Sequence, residues 1–287
     1  MLDQRIRELR DGRVPYVHAR VVLAEAPTSA KPGAEAIVLP DGTIEGFVGG
    51  SCAESTVRAQ GLALLDSGES LLLRITPTPE SDQPGKLVVH NPCLSGGTLE
   101  IFMEPVLPAP RLVVIGTAPV ALALHGLAAP LGYVLDDDFT GASAVVVASH
   151  GRDEEAALAA ALEANVAYIG LVASRKRGEA VIASLGMCSS HTARIHSPAG
   201  LDIGARTPNE VALSIMSEIV SLRPRPSGRP VNESNSTTET GTDPVCGMPV
   251  VMVDSSLHLD HDGIRVWFCG SGCLRAFAAS PETYQPA

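Results

Sequence analysis

Hydrophobic and polar positions along this chain follow two different patterns, and the change falls near residue 108. Before it, Val14–Ala24, Leu71–Ile75, Lys86–His90 and Thr98–Glu104 are short, loosely alternating runs that predict half-buried strands. Pro40-Asp41-Gly42, between an apolar run ending at Leu39 and Thr43-Ile-Glu-Gly-Phe-Val, predicts the turn of a hairpin. Two helices interrupt the strands. The first, from Met1 to Arg10, is amphipathic and highly charged and stops at Gly12. The second begins at Ser51, carries Val57, Leu62 and Leu65 on its inner side, and ends near Gly68.

Past residue 108 the strands become unbroken aliphatic runs: Arg111-Leu-Val-Val-Ile, Ala144-Val-Val-Val and Val166-Ala-Tyr-Ile-Gly-Leu-Val. Alanine-rich helical segments alternate with them, as in a parallel sheet covered on both faces. Only a brief stretch separates Gly132-Tyr-Val-Leu-Asp136 from the strand at Ala144, which leaves no room for a further helix and strand. The expected class is therefore α/β. A small N-terminal α/β domain (1–108) precedes a trimmed Rossmann-like parallel-sheet domain (109–223). A flexible linker rich in Pro, Ser, Asn, Thr and Gly (224–241) then leads to a small C-terminal module (242–287).

Charge narrows the possible roles. The formal net charge of −11 opposes binding nucleic acid by phosphate neutralisation. Residues 112–135 are almost uncharged, but Gly116, Pro119, His125, Gly126, Pro130 and Gly132 interrupt the run, so a membrane span is not expected. The charged first helix does not read as a secretion signal, which points to the cytoplasm. There, six cysteines are expected as thiols or metal ligands, not disulfides.

Three places carry candidate chemistry. Gly49-Gly50-Ser51-Cys52-Ala53-Glu54 puts a cysteine in the first turn of a helix, where the positive helix end favours a thiolate. Ser51 and Glu54 have the spacing of a capping box. Cys52 is a candidate for metal, sulfur or cofactor chemistry, and a small buried residue beside a cap is the alternative. Cys93, in the Gly/Pro-bounded loop Asn91-Pro-Cys-Leu-Ser-Gly-Gly, is a candidate second cysteine. The turn Gly116-Thr117-Ala118-Pro119, between a strand and a helix, is placed to meet phosphate, although alanine stands where a dinucleotide fingerprint has its second glycine. His150, Ser174 and Arg175 lie at carboxyl ends of strands, where open α/β sheets bind ligands. Asp202 and Arg206 belong to a glycine-rich lead-in to a helix that Thr207, Pro208 and Glu210 are suited to start. Finally, Cys246, Cys269 and Cys273 suggest a metal staple for a module too small to be stable alone. A structural zinc site needs four ligands, so His258 or His261 would supply the fourth, whereas three thiolates suit trigonal Cu(I).

Several of these segments resemble the XdhC/CoxI family, accessory proteins of xanthine dehydrogenase and CO dehydrogenase. They are Lys31-Pro-Gly-Ala, Gly49-Gly-Ser-Cys52-x-Glu54, Leu112-Val-Val-Ile-Gly, Tyr168-Ile-Gly-Leu-x-x-Ser-Arg-Lys and Gly200-Leu-Asp-Ile-Gly-Ala-x-Thr-Pro-x-Glu. The resemblance implies an accessory factor that binds molybdenum cofactor, as molybdopterin or its dinucleotide form, and assists its sulfuration or insertion. Its implied partners are a molybdenum hydroxylase client, a cysteine desulfurase and a second copy of the chain. Asp243-Pro-Val-Cys-Gly-Met and Phe268-Cys-x-x-x-Cys resemble the YHS/TRASH family of treble-clef-like metal modules, which implies zinc or copper in the tail. Two other readings remain open: an NAD(P)-dependent oxidoreductase using the middle domain, and a soft-metal metallochaperone or sensor.

Overall fold

The computed structural model describes residues 2–81, 83–91, 97–187, 189–223 and 239–284. They form two compact units, one from residues 1–108 together with 225–287 and the other from residues 109–224.

The first unit opens with helix α1 (Leu2–Asp11) and strands β1 (Tyr16–Ala24), β2 (Glu35–Val38) and β3 (Ile44–Gly46). Helix α2 (Ser51–Ser67) follows, then β4 (Leu71–Thr76), β5 (Leu87–His90) and β6 (Leu99–Val106). The six strands form one sheet in the order β3-β2-β1-β6-β4-β5, antiparallel except for the β4–β5 pair. The expected hairpin is present, and the Gly42 N–H donates to the Leu39 carbonyl across its turn. Alternation decides which helix covers which face. Val17, Ala19 and Val21 point to α2, where they meet Val57 and Leu64, while Tyr16 and Ile37 point the other way and bury Leu9 of α1.

The capping box expected at Ser51 is not formed. Gly50 takes the N-cap position in an extended conformation with no side-chain cap bond, so Ser51 becomes the first helical residue. Cys52 is still within the first turn. At the other end Gly68, at φ 72°, closes the helix by donating to the Leu64 carbonyl.

The second unit contains β7 (Arg111–Ile115), α3 (Pro119–Ala128), β8 (Val134–Leu135), β9 (Ala144–Val147) and α4 (Glu154–Glu163). It continues with β10 (Tyr168–Leu171), α5 (Arg175–Ser184), the short α6 (Ser189–Thr192), β11 (Ile195–His196) and α7 (Pro208–Ser221). Its sheet is wholly parallel, in the order β11-β10-β9-β7-β8. Both faces are covered, which is why the strands are unbroken aliphatic runs. Leu112 and Val146 pack with Leu124 of α3 and Ile215 of α7, whereas Val113, Val145 and Val147 pack with Leu158 and Leu162 of α4. No helix lies between β8 and β9, as the short spacing predicts. Asp136 organises that connection: its carboxylate accepts the N–H groups of Asp137 and Asp138 and pairs with Arg111 at 2.9 Å. Those bonds, led by the one from Asp138, hold its carboxyl below the usual range. The capping box at the start of α7 is complete, with Thr207 and Glu210 bonded reciprocally.

The tail belongs to the first unit. It contains β12 (Thr240–Thr242), β13 (Pro249–Val251), β14 (Leu257–His261), β15 (Ile264–Phe268) and α8 (Ser271–Ala279). Because β12 pairs with β13, ordered pairing begins inside the stretch expected as linker. The rest of that stretch, residues 224–238, lies outside the described residues. Among the described residues no helix is long and apolar enough to cross a membrane.

Candidate functional site

Two cavities and one cysteine cluster gather most of the candidate residues. The first cavity, of about 570 Å³, opens at the N-terminus of α2 and is lined by Gly50, Ser51, Cys52 and Ala53, with Ala26–Ser29, Ile75, Asn91, Gly97 and Leu99 opposite. Gly49 does not line it. At φ 148° it turns the chain beneath, where a Cβ would lie 2.9 Å from that of Ala53. The mixture of apolar walls, one thiol and a helix N-terminus suits an anionic, ring-containing ligand. Asn91 is buried at the cavity wall, a role that no sequence motif marks. Cys93 lies outside the described residues.

The second cavity, of about 640 Å³, lies in the parallel-sheet unit and brings His150, Ser174, Arg175 and Asp202 together, as their strand-end positions predict. Ser174 is the extended N-cap of α5 without a side-chain cap bond, so the start of that helix faces the cavity. Arg177, which also lines it, pairs with the buried Glu154. Burial works against the Glu154 charge, but Arg177 and the Gly151 N–H outweigh it and hold the carboxyl below its ordinary range. Behind the cavity, the Tyr168 hydroxyl donates to Glu218 at 2.6 Å, the Gly200 N–H donates to the same carboxylate at 2.7 Å, and the Tyr168 ring stacks on His196. Burial, then Glu218, pushes the Tyr168 hydroxyl pKa upward. Neither Glu154 nor Glu218 is legible in the sequence as a site support, because the partners of both are distant along the chain.

The turn Gly116–Pro119 lines neither of these cavities. Gly116, at φ 110°, presses on the end of β9, where a Cβ would sit 2.4 Å from the Ala148 carbonyl oxygen. Ala118 is buried with Ala121 and Ala148, while Thr117 and Pro119 are exposed. Methyl groups thus occupy the positions where a dinucleotide fingerprint needs bare backbone, and the packing explains this turn without a phosphate.

In the tail, Asp243, Cys246, Cys269 and Cys273 bring their ligand atoms within 4.8 Å of one another. Cys269 Sγ lies 3.4 Å from Cys246 Sγ and 3.7 Å from Cys273 Sγ. The fourth member is Asp243, not the expected His258 or His261. The His258 Nδ1 lies 2.8 Å from the Ser256 carbonyl and its ring faces Trp267, while His261 meets Phe277 edge-on. Asp243 follows β12 and folds the loop around itself, accepting the Val245 and Cys269 N–H groups at 2.9 and 2.8 Å. Asp-Pro at the head of the Cys246 loop is the sequence signal for this turn. Against Met248, Val250 and Cys269 packs Cys52 from α2, and the Cys52 and Cys269 side chains share a hydrogen bond. That bond, then burial and Asp243, push the Cys269 thiol up. Burial, then the Asp243 charge, push Cys273 up to about 12. Acidic and sulfur groups crowded together resist deprotonation unless a cation shares the site, and a soft cation fits this donor set.

Residues 9–76 match the XdhC and CoxI family and residues 112–219 match the XdhC Rossmann domain. The chain belongs to the XdhC/CoxI family. The cysteine-bearing tail of this XdhC/CoxI chain lies beyond both matched segments. Among curated relatives, YqeB of Escherichia coli K12 is 28% identical over 251 residues, covering 75% of this chain and 45% of YqeB. A probable xanthine dehydrogenase component of Bacillus subtilis 168 is 26% identical over 160 residues, covering 45% of this chain and 47% of that protein. The molybdenum cofactor insertion chaperone PaoD of Escherichia coli K12 is 28% identical over 253 residues, covering 68% of this chain and 80% of PaoD. The chain therefore spans about half the length of the first two relatives.

Proposed function

We propose that this chain is a maturation factor that holds molybdenum cofactor and assists its sulfuration or insertion into a molybdenum hydroxylase. The observation that carries the reading is Cys52 in the first turn of α2, on the wall of a cavity of about 570 Å³. That volume suits a pterin, and the backbone at Gly50 and Ser51 meets the usual demands of a phosphate. The cofactor would supply the metal-centred redox chemistry of its client. This chain's residues would bind and orient it: the α2 N-terminus at the phosphate and Cys52 toward the sulfur-bearing side. Family membership and the likeness to PaoD support the role. The client, of xanthine dehydrogenase or CO dehydrogenase type, and sulfur supply by a desulfurase extend the same proposal. If it holds, protein purified from its natural host yields the fluorescence of oxidised pterin, and Cys52→Ala protein yields little. Wild-type protein without pterin fluorescence, from cells making an active hydroxylase, counts against it.

A soft-metal role for the tail is a second reading, favoured by the clustered Cys246, Cys269 and Cys273.

A further inference from the structure

We infer that Cys52 joins Cys246, Cys269 and Cys273 as the fourth thiolate of one soft-metal site, so that metal bound by the tail ties down the thiol on the wall of the first cavity. This goes beyond the cofactor reading and stands whether or not a pterin binds.

The tail alone provides three sulfurs at suitable spacing. In a tetrahedral thiolate site with metal–sulfur bonds of about 2.3 Å, neighbouring sulfurs lie about 3.8 Å apart. The pairs Cys246–Cys269 and Cys269–Cys273 are at 3.4 and 3.7 Å. Three sulfurs leave one position open, and the oxygen and nitrogen candidates are engaged elsewhere. Both carboxylate oxygens of Asp243 already accept backbone N–H bonds that fix the Cys246 loop and Cys269. His258 and His261 are held against aromatic rings and stand outside the cluster.

Cys52 is in the right place. Its side chain bonds to Cys269 and packs with Cys273. Gly270, between those two tail cysteines, makes the approach possible, since a Cβ there would lie 2.9 Å from Ser51 Oγ and 3.0 Å from Cys52 Sγ. Electrostatics favour the same assembly. Cys52 lies in the first turn of α2 and Cys273 in the first turn of α8, so two positive helix ends offset the charge of four thiolates around one divalent ion. Each thiol releases its proton as the metal binds. Metal occupancy of the tail would then decide whether Cys52 is available to the cavity.

The test uses the full chain, metal-stripped under reducing conditions and titrated with Zn²⁺ alone. X-ray absorption at the zinc edge is expected to show four sulfur neighbours at about 2.3 Å. Cys52→Ala protein should show three sulfurs and a lighter atom, whereas Asp243→Asn should keep four. With Zn²⁺ present, alkylation of Cys52 by iodoacetamide, followed by peptide mapping, should slow by about tenfold or more. Three sulfurs in the wild-type site, or alkylation of Cys52 indifferent to Zn²⁺, would overturn the inference. Neither readout involves a pterin, so this inference and the cofactor reading fail separately.

Discussion

The two cavities of this protein each open at a helix N-terminus, yet they are built in opposite ways. The cavity at α2 places a thiol on its wall, and its chemistry comes from residues adjacent in sequence, Gly50 to Cys52. The cavity at α5 places an exposed arginine at its rim and is braced by carboxylates drawn from distant elements, Glu154 and Glu218. The first is read from a motif and the second only from the assembled fold. A helix start thus becomes a site through what lines it, and the turn at Gly116–Pro119 shows the converse, a helix start filled by methyl groups.

The largest expected effect concerns that turn. Gly116→Val puts a side chain onto the Ala148 carbonyl at a backbone φ of 110° and should destabilise the parallel-sheet unit by about 3 kcal/mol or more, seen as an earlier urea transition. A variant of unchanged stability that lost nucleotide binding would make the turn a phosphate site again and break the comparison. Next comes the brace of the second cavity. Tyr168→Phe removes the hydroxyl that bonds Glu218 and should cost about 1–3 kcal/mol in denaturant unfolding. An unchanged midpoint would show that the Gly200 loop needs no such support.

The smallest effect depends on pH. The Glu154 carboxyl is held below its ordinary value of 4.5, so the stability from its pairing with Arg177 is fully present above that pH. It is lost as pH falls through the lower folded value. Wild-type stability should therefore fall more steeply than that of Glu154→Gln as the pH drops below about 4.5, followed by urea midpoints. Parallel acid profiles would show that the pair does not brace the cavity.

Much of this architecture is legible in the sequence because periodicity reports burial directly. The hairpin at Pro40–Gly42, the aliphatic parallel strands and the Thr207–Glu210 capping box all follow from short-range rules. The capping box at Ser51 does not form, because the same local motif is compatible with Gly50 as the cap. His258 and His261 have plausible sequence positions for a ligand, but strand pairing aims both rings at aromatic neighbours. The meeting of Cys52 with Cys269 is out of reach of local patterns, since it joins residues far apart in sequence through a glycine that matters only for what it lacks.

The central claim is tested most directly by titrating purified, reduced full-length chain with molybdopterin and following binding calorimetrically, with Cys52→Ala in parallel and circular dichroism to check its fold. The account predicts saturable binding to the wild type, weakened about tenfold or more, roughly 1.4 kcal/mol, by the substitution. Equal affinity of the two proteins, or no binding to either, would contradict it.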